Sequence, residues 1–263
     1  MTTILDLRQV TRNHDRYEQM IRQRPAVQRA IAYFQDNIGK VSSTEEFMKD
    51  DKLYRFVLDA FDLGSQAKAR GLIRKVLEEG VSDSSSTANR MSDAKFKEMA
   101  TVLGFAENSG KNLKQPAIVQ AIIDRYVNVT LEIDSEDQNP AVRLGLYFKR
   151  RSSNISNWYQ VMADSALRKV VYTTLGLPDQ TALLDIDKQK VLLEKRMDIA
   201  DFKKPEKVAK LLDRFAAMYD LQNGSSTATA ATPSIGPISA SGRASIISID
   251  PSITMSLLRF PRF

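Results

Sequence analysis

Two stretches of this chain repeat one another. Arg24-Pro25-Ala26-Val27 leads to Tyr33-Phe34, then Asp50-x-x-Leu53 and Phe61-Asp62-Leu63. Asn139-Pro140-Ala141-Val142 leads in the same order to Tyr147-Phe148, Asp164-x-x-Leu167 and Leu175-Gly176-Leu177. With one gap the two stay in register for roughly forty residues. A second block, Pro116-x-x-Val119-x-x-Ile122-Ile123-Asp124-Arg125-Tyr126, returns as Pro205-x-x-Val208-x-x-Leu211-Leu212-Asp213-Arg214-Phe215. A fainter echo starts at Asp93 and closes on Leu103-Gly104-Phe105. The spacing is too long and irregular for a standard solenoid, so the pattern specifies one multi-helix unit duplicated once, about 24–138 and 139–222. Such a repeat constrains architecture before activity, because each copy presents a packing surface to its neighbours.

The repeated letters read as helices. Pro25 and Pro140 suit a first helical turn, and Ser43 stands three residues before Glu46 as in a capping box. Leu53, Phe56, Val57, Ala60 and Phe61 form an i, i+3, i+4, i+7, i+8 stripe behind Asp50, so each Asp-x-x-Leu site reads as an N-cap followed by a buried face. Tyr17, Met20 and Ile21 predict an opening helix. Others are expected over 67–77, 94–103, 116 to about 132, 158–162, 167–175, 188–197 and 205–219, with Ser135–Gln138 as an acidic joint between the halves. No stretch before 220 alternates with period two. The fold class is therefore all-α, a duplicated helical body over 1–222, followed by a flexible C-terminal tail. Residues 223–263 begin with the small-residue linker Asn223–Ser234 and end in an apolar segment.

Composition removes several function classes. No apolar run approaches the roughly 20 residues of a membrane-spanning helix, so membrane insertion is not expected. The start, Met1-Thr2-Thr3-Ile4-Leu5-Asp6-Leu7-Arg8, lacks a basic segment followed by an apolar one, which places the chain in the cytoplasm or on a route of export that needs no signal peptide. With no cysteine there is no disulfide, thiolate nucleophile or cysteine-based metal site. The net charge of +6 is uneven: residues 1–138 hold 20 Lys and Arg against 21 Asp and Glu, and residues 139–222 hold 15 against 10. Lys149-Arg150-Arg151 reads as a cationic helix end complementing the dipole.

No catalytic, cofactor-binding or metal-binding residue emerges, and the expectation is a protein without enzymatic activity. His14 is alone, and neither Gly-x-x-x-x-Gly-Lys-Ser/Thr nor Gly-x-Gly-x-x-Gly occurs. Asp50-Asp51, Asp185 and Asp187 read as caps and loop charges. Asp124-Arg125 and Asp213-Arg214 recur in both halves and are expected to pair with neighbouring helices, since adjacent helical residues do not face one another. Trp158-Tyr159 reads as core. The candidate partner-binding residues are apolar ones of the tail: Ile247, Ile249, Ile253, Met255, Leu257, Leu258, Phe260 and Phe263. Leaving them in water costs about 1.5–3 kcal/mol for each that burial elsewhere would cover. Their alternation around Pro251 suits strand addition to a partner or an anchor in a groove, and folding back onto the helical body is the alternative.

Taken with Leu72-Ile73-Arg74-Lys75-Val76-Leu77, Ala88-Asn89-Arg90-Met91-Ser92-Asp93, Ala166-Leu167-Arg168-Lys169-Val170-Val171 and Phe202-x-x-Pro205-x-x-Val208-Ala209, these motifs carry a resemblance. Residues 1–222 resemble the alphaproteobacterial family catalogued as domain of unknown function 1217, whose members are often encoded among flagellar genes. The resemblance implies a structural or accessory factor of the flagellum, working through protein–protein contacts with flagellar components, and it brings no catalytic signature. The competing class is a basic helical regulator that binds nucleic acid through 139–222. That function wants a dense basic face with interleaved aromatics.

Overall fold

Asp50 shows how a repeated letter becomes structure. One carboxylate oxygen accepts the backbone N–H groups of Lys52 (3.0 Å) and Leu53 (3.1 Å), capping a helix over Asp51–Ala60, and the other accepts the Tyr33 hydroxyl at 2.7 Å. Asp164 repeats this on the helix Ser165–Thr174, accepting Ala166 N–H (2.9 Å), Leu167 N–H (3.0 Å) and the Tyr147 hydroxyl (2.5 Å). Both helices then close alike. Asp62 (φ 55°) and Gly176 (φ 64°) turn left-handed, and the next N–H reaches back a full turn, from Leu63 to Leu58 at 2.7 Å and from Leu177 to Tyr172 at 2.9 Å. The preceding helices share a cap as well. Ser43 and Asn157 accept the N–H groups of Glu46 and Gln160, whose side chains accept those of Ser42 and Ser156 in return.

The computed structural model describes residues 2–223, in which fifteen α-helices and four short 3-10 turns follow one another without a strand. Two N-terminal helices, α1 (Thr3–Arg12) and α2 (His14–Arg22), precede the first unit. That unit comprises α3 (Pro25–Ile38), α4 (Thr44–Lys49), α5 (Asp51–Ala60), α6 (Arg70–Glu79), α7 (Thr87–Arg90), α8 (Ala94–Leu103), α9 (Phe105–Asn108) and α10 (Pro116–Gln138). The second comprises α11 (Pro140–Ser152), α12 (Trp158–Ala163), α13 (Ser165–Thr174), α14 (Ile186–Glu194) and α15 (Pro205–Asn223). The offset between the halves is 114 residues at Tyr33 and Tyr147 but 89 at Pro116 and Pro205, so the first unit carries 25 more residues between α5 and α10.

There are two cores. Phe34, Phe47, Tyr54, Phe56, Leu63, Ile73, Leu113 and Ile122 centre the first, where Phe56 stacks between Phe34 (4.4 Å) and Tyr126 (4.1 Å). Phe148, Trp158, Val170, Phe202 and Phe215 centre the second. Helix α10 joins them, giving Ile122 and Ile123 to the first and Val127 and Leu131 to the second. It is longer than the sequence suggests. The expected joint at Ser135–Gln138 is its last turn, because Ser135 returns its hydroxyl to Leu131 O (2.7 Å) and no breaker occurs until Pro140 forces Asn139 into an extended conformation.

Charge stitches the halves together. Arg150 donates to Glu132 through Nε (2.6 Å) and Nη2 (3.0 Å), Glu98 takes both Arg125 and Arg151, and Asp62 takes Lys95 (3.0 Å) and Arg143 (3.4 Å). Two of the three cations at the end of α11 therefore serve this seam rather than the helix dipole alone. Burial pushes the Glu132 carboxyl above the ordinary carboxylate range despite the opposing pull of Arg150.

Candidate functional site

Helix α1 lies in a channel between α11 and α15. Thr3 N–H donates to Asp220 at 2.9 Å, and Arg8 forks onto Asp213 with two contacts of 2.8 Å, so α1 runs antiparallel to α15. On its other side Asn139 donates to Thr3 Oγ1 at 3.0 Å and Leu7 packs on Gly145, where an added Cβ would stand 2.8 Å from the leucine methyls. Thr3, Ile4, Leu7 and Val10, spaced i, i+1, i+4, i+7, are the seated face. The duplicated aspartate of the first unit is met in the same way: Asp124 accepts Arg22 of α2 at 2.6 Å. The expected pairing of Asp124 and Asp213 with other helices thus holds, and each takes an arginine from one of the two N-terminal helices.

At Asn13 (φ −111°, ψ 28°) the chain leaves the channel for α2. Beside the last turns of α1 and past its end the channel stays open as a groove of about 490 Å³, bounded by α1, the end of α11, the 3-10 turn Ile199–Lys203 and the start of α15. Its floor is apolar, with Leu7, Phe202, Val208 and Leu212 buried and Pro205 and Ala209 exposed along one wall. Phe202 is held edge-on to Phe148 (5.2 Å) and Trp158 (5.6 Å). The rim is cationic. Arg8 is matched by Asp213, but Arg12, Lys149 and Lys203 have no ion-pair partner among the described residues.

The other candidates resolve into structure. Trp158 is core as expected, but Tyr159, expected beside it, is exposed, because the next position on a helix faces away, and it donates to Asp187 at 2.8 Å. Asp185 caps α14, and His14 stands 3.6 Å from Glu18 within α2. No group of three metal-binding side chains and no helix long and apolar enough to cross a membrane occurs among the described residues. The partner-binding candidates from Ile247 to Phe263 lie outside those residues. Asp59 was not signalled by the sequence. It lines a hollow of about 500 Å³ with Arg29, Tyr33, Lys52, Arg55 and Tyr126, and burial raises its carboxyl, opposed by Arg55. Only the tertiary fold places it there.

The fold and groove define an all-α scaffold, built from a duplicated helical unit and closed by two N-terminal helices. The chain belongs to the family described as Protein of unknown function (DUF1217), whose model matches residues 60–208. It is similar to the crystal structure of protein AGR_C_984 from Agrobacterium tumefaciens, with 38% identity and a TM-score of 0.78, over 84% of this chain and 94% of that one. No curated protein matches it.

Proposed function

We propose that this chain is a non-enzymatic accessory protein, associated with the flagellum, that works by protein–protein contact. The observation that carries contact is the groove at the end of α1, where an apolar floor, with Pro205 and Ala209 exposed along one wall, is ringed by cations that have no ion-pair partner among the described residues. Anchoring pockets with a polar rim are how protein surfaces concentrate binding energy. The flagellar setting rests on the family resemblance set out above, and soluble export or a cytoplasmic location are both compatible with it. Nucleic-acid binding is the poorer match, since Phe202 is the one aromatic lining the groove, where a strand of bases wants a succession of stacking faces.

An affinity pull-down from the native cell tests this, comparing the intact chain with one ending at Asn223. Recovery of flagellar components by the intact chain is the expected result. Their dependence on residues 224–263 would assign the anchoring to Ile247, Ile249, Ile253 and the other apolar tail residues, and recovery by both forms would assign it to the helical body. Nucleic acid, or no flagellar component, refutes the reading.

A further inference from the structure

The groove is the unfilled end of a channel already occupied by a helix. Contacts along α1 proceed from Thr3 with Asp220 to Arg8 with Asp213, and its last residues, Thr11 and Arg12, reach the level of Ala209 on α15. The channel goes on to Pro205 and Lys203 after the chain has turned away. We infer that this open end receives an acidic amphipathic helix of a partner protein, seated as a continuation of α1. This deepens the contact reading given above and rests on it.

Two observations select that occupant. The helices that hold α1, α11 and α15, are two of the groove's walls, with the last turns of α1 and the 3-10 turn Ile199–Lys203 as the others, and from Ala209 to Pro205 is about one helical turn, so the apolar spacing that fits is a pair of anchors at i and i+3 or i+4. The rim sets the charge. Arg12, Lys149 and Lys203 come from three different elements, and no carboxylate among the described residues neutralises any of them. Carboxylates on the flanks of a docked helix would meet all three, whereas a basic segment would be repelled. The chain's own apolar tail carries Arg243, Arg259 and Arg262 against Asp250 alone, so its charge matches the rim poorly.

The test is fluorescence anisotropy with the full chain and two labelled peptides of about 14 residues, long enough for ~20 Å of helix. Both have Leu at the anchor positions, one with Glu and the other with Lys elsewhere. The Glu peptide should bind, with affinity falling as salt rises. Joint replacement Arg12→Glu, Lys149→Glu and Lys203→Glu should weaken it about tenfold or more, since three rim charges change sign. Ala209→Trp, which fills the groove from an exposed wall without altering any charge, should abolish it. Equal binding of the Lys peptide, or indifference to both variants, overturns the inference. So does binding of duplex DNA or anionic micelles that the same variants abolish while the Glu peptide stays unbound. If the pull-down recovers flagellar components undiminished by Ala209→Trp, the groove inference fails while the accessory-protein reading stands.

Discussion

Replacing Glu132 by Gln should do more damage than any surface change, because it strands Arg150. The Glu132 side chain is 5% exposed and that of Arg150 is 21% exposed, and both guanidinium contacts, 2.6 and 3.0 Å, lose a charged acceptor at once. Burial disfavours the Arg150 charge, but Glu132 outweighs it and raises the guanidinium, so without the Glu132 carboxylate a charged Arg150 is left shielded and unpaired. Breaking one side of a buried pair costs about 3–5 kcal/mol, whereas removing both charges together is neutral or better. For a body of this size each kcal/mol lowers the melting midpoint by about 2–4 °C, so Glu132→Gln should melt about 6–20 °C below wild type. The double variant Glu132→Leu with Arg150→Met should return close to wild type, the methionine keeping an apolar body over the Tyr147 ring that Arg150 now covers at 5.2 Å. Thermal and urea unfolding of wild type, Glu132→Leu, Arg150→Met and the double supply the cycle, with Glu132→Gln measured beside them. A Gln variant within about 1 kcal/mol of wild type, or a double variant as unstable as the single, would refute the argument that this pair is shielded from water.

The duplicated caps differ in one testable respect. Asp50→Ala should cost about 0.5–2 kcal/mol for the lost N-cap, while Asp164→Ala should cost about 1–3 kcal/mol more, because it also leaves the buried Tyr147 hydroxyl unpaired; urea midpoints that rank them the other way would count against this. Gly145→Leu should overpack the α1 seat by about 1–3 kcal/mol and raise proteolysis within residues 3–12, and unchanged proteolysis would mean that α1 is not held by this contact. In Glu98, burial opposes ionisation but Arg125 and Arg151 outweigh it, so the folded value lies below 4.5; the stability this contributes is present above 4.5 and lost as pH falls through the folded value. A Glu98→Gln variant should therefore show a shallower acid limb in urea midpoints between pH 5 and pH 2, and an unchanged limb would refute the assignment. Asp59 runs the opposite way: its folded value is raised above 3.8, so stability is lost as pH rises from 3.8 through that folded value. Asp59→Asn should raise the midpoint at pH 7, with the gain vanishing below pH 3.8, and a lower midpoint at pH 7 would show that Arg55 outweighs burial.

What the sequence made legible was local. Tyr33 with Asp50 and Tyr147 with Asp164 are 17 residues apart in each half, and cap, stripe and left-handed close follow from residue types at fixed spacing. The third echo behaves likewise, with Asp93 capping α8 and Gly104 turning left-handed at its end. Legibility failed where tertiary packing decides. Helix α1 is not legible because Ile4 and Leu5 are both apolar and only the neighbouring helices choose between them, burying part of Ile4 and leaving Leu5 56% exposed. Met20, on an apparent inward stripe, is exposed for the same reason. Asp124 and Asp213 were recognisable as partners of other helices, but their arginines, 102 and 205 residues away, were not. The groove needs residues from α1, α11, the 3-10 turn and α15 together, and no short-range pattern links them.

The seat of α1 also sets a timetable for synthesis. Thr3 and Arg8 meet Asp220 and Asp213 across 217 and 205 residues, so the first helix described completes its contacts only with the last one described. At about 5–20 residues per second, that is roughly 10–40 s during which Leu7 has no channel to enter. The first core can condense meanwhile from residues 34–123, but the channel cannot, because one of its walls has yet to be made. A chain cut short before α15 thus lacks one wall of the docking face, and a partner that needs that wall distinguishes a finished helical body from an incomplete one.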